Sequence, residues 1–198
     1  MQTLPHSEFW DFSLEVYERP EVSKLCLDLQ DNYSADINML LFACWLAQTG
    51  RGTVTVSAWR AMTLRLTRLR EKVIKPLRSV RHILKEEHLA PEAMKQKVFE
   101  AELEAEHIEQ LILDKEWGSG RRPVVSGSER RTRDMIENIV AYFRAEGLSF
   151  DHKLAYRCER LVKLISGLLD DKFIHHTCYQ LMELSRDPDE SRQDLTMP

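Results

Sequence analysis

Residues Ile37 to Gly50 read INMLLFACWLAQTG, and from Met39 to Ala47 the run carries no charged side chain. Three structures are compatible with such a stretch: a membrane anchor, a cofactor pocket or the centre of a core. Spanning a bilayer takes about 20 consecutive apolar residues, and this run is stopped by Asp36 on one side and Gln48 on the other. It is too short to span. With Ser34 or Asp36 as N-cap and Gly50 as C-cap, the stretch predicts a helix of about four turns that is apolar nearly all round, which belongs in a protein centre.

The chain around it is suited to bury such a helix. Its 198 residues are 43% hydrophobic and 30% charged, a globular composition for one domain or two small ones. A chain of this size removes about 70% of its extended surface from water, so it folds without disulfides or metal. Cys26, Cys44, Cys158 and Cys178 show no CxxC or zinc-finger spacing, and most sit in apolar helical patterns as small hydrophobes. That fits a reducing compartment. The N-terminal MQTLPHSEFWDF has no positive charge ahead of an apolar run, so it does not read as a secretory signal, and the expected location is the cytoplasm, with no membrane segment.

The pattern predicts an all-α protein: a multi-helix N-terminal module with a long helical hairpin over 1–117, a linker over 118–127, a smaller three-helix module over 128–186 and a disordered tail from 187 to 198. Ser7 caps a first helix with two aromatic-rich faces, Phe9, Phe12, Val16 and Trp10, Leu14, Tyr17. Pro20 opens a second, whose Val22, Leu25, Cys26 and Leu29 form one buried stripe. RGTVTVS alternates like a strand but has no partner, so it reads as an extended connector. Ser57 then caps a long helix with Trp59, Met62, Leu66, Leu69 and Val73 inward, a kink or break at Pro76, and Leu77, Val80 and Leu84 carrying the stripe onward. Beyond Pro91, Met94, Val98, Ala101, Ala105, Ile108 and Ile112 recur at alternating fours and threes, a coiled-coil-like seam. GSGRRPVVSGS has linker composition, after which helices opened by Ser128 and Asp151 and a last short helix carry apolar stripes of their own.

Charge is segregated along the chain. Residues 1–50 carry a net of −6, 51–90 a net of +7, 91–117 a net of −5, and 118–198 none. Arg65, Arg68, Lys72 and Lys75 lie three or four apart and form one basic face, continued by Arg78, Arg81 and Lys85. Such a face can meet an acidic protein or phosphates. Alternatively it is a solvated face matched in part by Glu102, Glu106 and Glu109 on the next helix of an antiparallel hairpin. The acidic overall balance and the lack of interleaved aromatics weigh against nucleic acid.

Candidate chemistry is sparse. Glu104 and His107 form a single ExxH, whereas carboxylate-bridged di-iron sites use two together with further inward carboxylates. His175, His176 and Cys178 form HHTC, but adjacent helical residues point about 100° apart and do not chelate together easily. The segment around GLSFD, followed by Lys153, Arg157, Arg160 and Lys163, resembles a helix-turn-helix; Glu146 and Lys153 fall where that motif wants apolar contacts. GSGRRP lacks the lysine and Ser or Thr of a P-loop, and no GxSxG is present. No catalytic, cofactor or metal residue is assigned.

The segments FWDFSLEVYERPEV, CLDLQDNYSADINMLLFACWLAQTGRG and VIKPLRSVRHILK together resemble a family of uncharacterised, small, helical proteobacterial proteins over about residues 7–115. The resemblance implies a bacterial, cytoplasmic, all-helical protein and supplies no activity or site. With the charge pattern, it leads us to expect a non-enzymatic protein-interaction or regulatory protein whose partner is another protein. A nucleic-acid-binding regulator using the basic face, and a metal-dependent helical enzyme, are the alternatives.

Overall fold

The computed structural model describes residues 4–86, 90–118, 120–148, 151–168 and 170–183. These are α-helical with short connections and, among the described residues, contain no strand. The helices are α1 (Glu8–Tyr17), α2 (Pro20–Tyr33), α3 (Ile37–Gln48), α4 (Val56–Leu69), α5 (Lys75–Glu86), α6 (Glu92–Leu113), α7 (Ser128–Ala145), α8 (His152–Ser166) and α9 (Asp171–Glu183). The tail from 187, Leu184 and the turn residues Ser149 and Phe150 lie outside the described residues.

The opening stretch is α3, and every residue from Met39 to Ala47 is buried. Asp36 caps it, its carboxylate accepting the Met39 amide at 3.1 Å; Ser34 instead ends α2 in a left-handed conformation. Phe42 and Trp45 join Phe9 and Trp59 in an aromatic cluster with centroids 5.1 to 6.2 Å apart. They line no open hollow. Aromatic pairs in these offset and edge geometries contribute beyond their burial alone, which places the centre of stability in α3 and its neighbours.

The partner of α3 along most of its length is α7. Met135, Ile136, Ile139, Tyr142 and Phe143 of α7 are buried in one cluster with α3, α1, α2, α4, α8 and α9, so residues on both sides of segment 118–127 share a single core. That segment is docked. Gly118 packs so closely on Trp45 that a Cβ would come within 2.7 Å of the indole, and the Val124 amide donates to the Gly50 carbonyl at 2.9 Å. Gly50 has φ of +72° and no room for a Cβ, which would lie 2.4 Å from the Val124 oxygen; only glycine meets both demands. Residues 51–55 form a connector in neither helix nor strand, with Gly52 at φ of +79°, while Val56 and Ser57, expected in the connector, already belong to α4. The connector's backbone groups are met by side chains: Arg121 Nη1 donates to Thr53 O at 2.8 Å and Asn138 Oδ1 accepts the Val54 amide at 2.8 Å.

Several expectations are corrected along α4 to α6. Thr55, not Ser57, is the N-cap of α4, and of the kink or break expected at Pro76 there is no break. A π turn over Arg70–Ile74, in which the Lys75 amide donates back to Arg70 O, joins α4 to α5. A π turn inserts one extra residue, widening the backbone just ahead of the proline ring that would otherwise crowd the preceding carbonyls. It also changes which residues face inward. Trp59, Met62 and Leu66 are buried as expected, but Arg70 and Ile74 then replace Leu69 and Val73. Along α6, Met94 and Ile108 of the predicted seam are exposed, while Glu102, Glu109 and Gln110 are buried with Ala105. The hairpin therefore closes over charges.

Candidate functional site: a cleft walled by a buried ionic network

The face of α1 opposite Phe9, carrying Trp10, Leu14 and Tyr17, does not enter the core. Together with Leu27 and Gln30 of α2, Ile37, Asn38 and Leu41 of α3, the π turn, α5 and α6, it walls a cavity of about 520 Å³, within the range of small-molecule sites. Its mouth is bordered by Leu14, Tyr17, Leu27 and Phe99, all exposed.

One side of the cleft is built from arginine and glutamate. Arg70 Nε lies 2.8 Å from an Asp36 carboxylate oxygen and also donates to Glu109. Asn38 Nδ2 donates to the other Glu109 oxygen at 2.5 Å, and Asn38 Oδ1 accepts from Gln110 Nε2 at 2.7 Å. Nearer the hairpin, Arg78 donates to Glu102 at 3.0 Å, to Gln30 at 2.9 Å and to Glu106 at 2.6 Å, and Arg81 shares Glu102. Arg70 and Arg78 each serve two carboxylates. Burial, reinforced by the Asp36 charge, pushes the Glu109 carboxyl up to about 7 against the pull of Arg70. Burial likewise raises Glu106 despite Arg78.

The predicted basic face is thus divided. Arg65 pairs with Glu116 at 3.0 Å, Lys75 with Glu71 at 2.5 Å, and Arg78 and Arg81 with the α6 carboxylates. Arg68, Lys72 and Lys85 are exposed and have no ion pair among the described residues. The matching of α5 cations by Glu102 and Glu106 follows the hairpin pairing read from sequence. Arg70, Asn38 and Gln110 were missed because an apolar stripe was assumed to be the inward one; the spacing of Arg70 eight residues from Arg78 was the available signal.

The other candidates do not converge. Glu104 is exposed, and His107 stacks on Trp10 with centroids 4.2 Å apart, burial lowering its pKa. His175 bonds Glu159 at 2.9 Å, and both it and His176 are exposed. Among the described residues no three potential ligands are placed to hold a metal ion. All four cysteines are free and buried, and burial pushes Cys26 and Cys178 up to about 12, so these thiols stay protonated. Glu146 and Lys153 are exposed, Arg157 binds Asp28 and Lys163 binds Glu159, which makes α7 and α8 an ordinary packed hairpin. Among the described residues no helix is long and apolar enough to cross a membrane.

Neither the curated proteins nor the solved structures contain a match to this chain. A family pattern matches residues 8–113, from the start of α1 to the end of α6, and so takes in every element of the cleft while omitting α7. The chain belongs to that family, described as a protein of unknown function, DUF2390.

Proposed function

We propose that the protein is a non-catalytic interaction protein that recognises another protein through the hairpin of α5 and α6. The observation that carries this reading is the surface of that hairpin. The main helical packing of α5 is against α6, yet Val80 and Ile83 on α5 and Met94 and Phe99 on α6 are 42 to 50% exposed. Large apolar residues gathered on a projecting element mark interaction surfaces. The open cations Arg68, Lys72 and Lys85 lie along the same helical arm as Val80 and Ile83, so the complementary partner surface is apolar with acidic groups beside it. Phosphate recognition is less well supported, because Arg78 and Arg81 already spend their donors on glutamates. The buried, protonated thiols support a reducing compartment such as the cytoplasm.

Affinity capture from cell lysate with the wild type, Val80→Glu/Ile83→Glu and Arg68→Glu/Lys72→Glu tests the reading. A protein retained by the wild type and lost from both variants is expected. Retention profiles that are identical for all three chains argue against the hairpin as the recognition surface.

A further inference from the structure

The cleft contains an unmet pair of polar atoms. Arg70 Nη2 and Gln110 Oε1 are both shut off from solvent and have no hydrogen-bond partner, on residues that are 8% and 2% exposed and line the cavity. One is a donor and the other an acceptor. Buried groups left without partners are uncommon in folded proteins and point to something that completes them. The formal charges of the lining cancel, Arg70, Lys75, Arg78 and Arg81 standing against Asp36, Glu102, Glu106 and Glu109. A ligand with net charge would upset that balance in a partly desolvated site. Apolar side chains, among them Trp10, Leu14, Leu41, Phe99 and Leu103, make up much of the remaining wall.

We infer that the cleft binds an uncharged amphipathic small molecule. Its amide-type head, which both accepts and donates, is held by Arg70 and Gln110, and its apolar body lies along Leu14, Leu41, Phe99 and Leu103. Both atoms are closed to water, so the two side chains turn toward the cavity as the head enters; the head then supplies the acceptor that Arg70 Nη2 lacks and the donor that Gln110 Oε1 lacks. This site lies at the base of the hairpin and does not depend on what the hairpin recognises.

The test uses the full chain and N-phenyl-1-naphthylamine, an uncharged dye that fluoresces in apolar cavities, displaced by decanamide, decanoate or decylammonium below their aggregation concentrations. The three share one alkyl chain and differ in head charge. Decanamide is expected to displace the dye at about one-tenth the concentration of either ion, the difference one satisfied buried hydrogen bond supports. Gln110→Met should remove most of that preference, and Leu103→Trp should block displacement by filling the apolar end, each variant first shown to keep wild-type helicity. No gain in dye fluorescence, equal displacement by all three heads, or a preference unchanged in both variants overturns the proposal. The wild-type head series decides the matter even if a variant fails to fold.

Discussion

The side chain of Asn138 on α7 is fully buried and ties three backbone groups of the preceding half of the chain: it accepts the Val54 amide at 2.8 Å and donates to Gly52 O at 3.1 Å and Ala43 O at 3.3 Å. A connector without a neighbouring strand must satisfy its polar groups in some other way, and here Asn138 does so at Gly52 and Val54 while Arg121 does so at Thr53. Asn138→Leu keeps the volume and strands those groups, each at about 1–3 kcal/mol. A drop in the urea midpoint with an unchanged slope is expected; a midpoint within error of the wild type would mean that water replaces the side chain without loss.

Arg70 is expected to be the most sensitive charge in the molecule. Arg70→Met leaves Asp36 and Glu109 facing each other without a cation, and removing one partner from a buried pair costs about 3–5 kcal/mol. Arg70→Met/Glu109→Leu removes the stranded carboxylate and should recover a large part of the loss. Chemical denaturation of the single and double variants gives the coupling directly, and additive effects would show that the two side chains do not act together.

Stability should also depend on Glu109 protonation. Its carboxyl ionises near pH 7 in the folded protein against an ordinary 4.5, so between these values the folded state holds a proton that the unfolded chain has released. Its contribution is therefore fully present below about pH 4.5, is lost as pH rises toward 7, and is constant above. Glu109→Gln retains the amide geometry without the ionisation. The difference in unfolding free energy between the variant and the wild type should grow in favour of the variant from pH 5 to pH 8; parallel pH profiles would assign the titration elsewhere.

The family segment 8–113 is expected not to fold alone. In the full chain α7 covers α3 and contributes Met135, Ile139 and Phe143 to the core; without it, part of an almost wholly apolar helix faces water. A fragment ending at 117 should bind hydrophobic dye or aggregate, and adding a peptide of residues 118–183 should restore a cooperative transition. A monomeric fragment melting like the full chain would show that α6 or the hairpin can replace α7.

Much of this architecture was legible in advance, and the particular failures have physical causes. The central helix was readable because Met39 to Ala47 admit no exposed face, and the stripes of α2, α7 and α8 because each element has one clear apolar side. The seam of α6 misled because its periodic apolar positions, Met94 and Ile108, lie outward while the carboxylates beside them are neutralised across the hairpin. Periodicity reports which residues share a face, not which face is covered. The docked segment 118–127 was unreadable because Gly118 serves close packing at Trp45, a demand that composition does not distinguish from flexibility.

The π turn sets the rotational phase of everything beyond it. Each helical residue contributes about 100° of rotation and 1.5 Å of advance, so deleting one position between Arg70 and Ile74 would slide the distal helix one step back. Ser79 and His82 would then stand where Arg78 and Arg81 now meet Glu102 and Glu106. The ionic wall of the cleft thus hangs on a single surplus residue, and a chain that lost it would keep its helices while changing the character of the chamber between them.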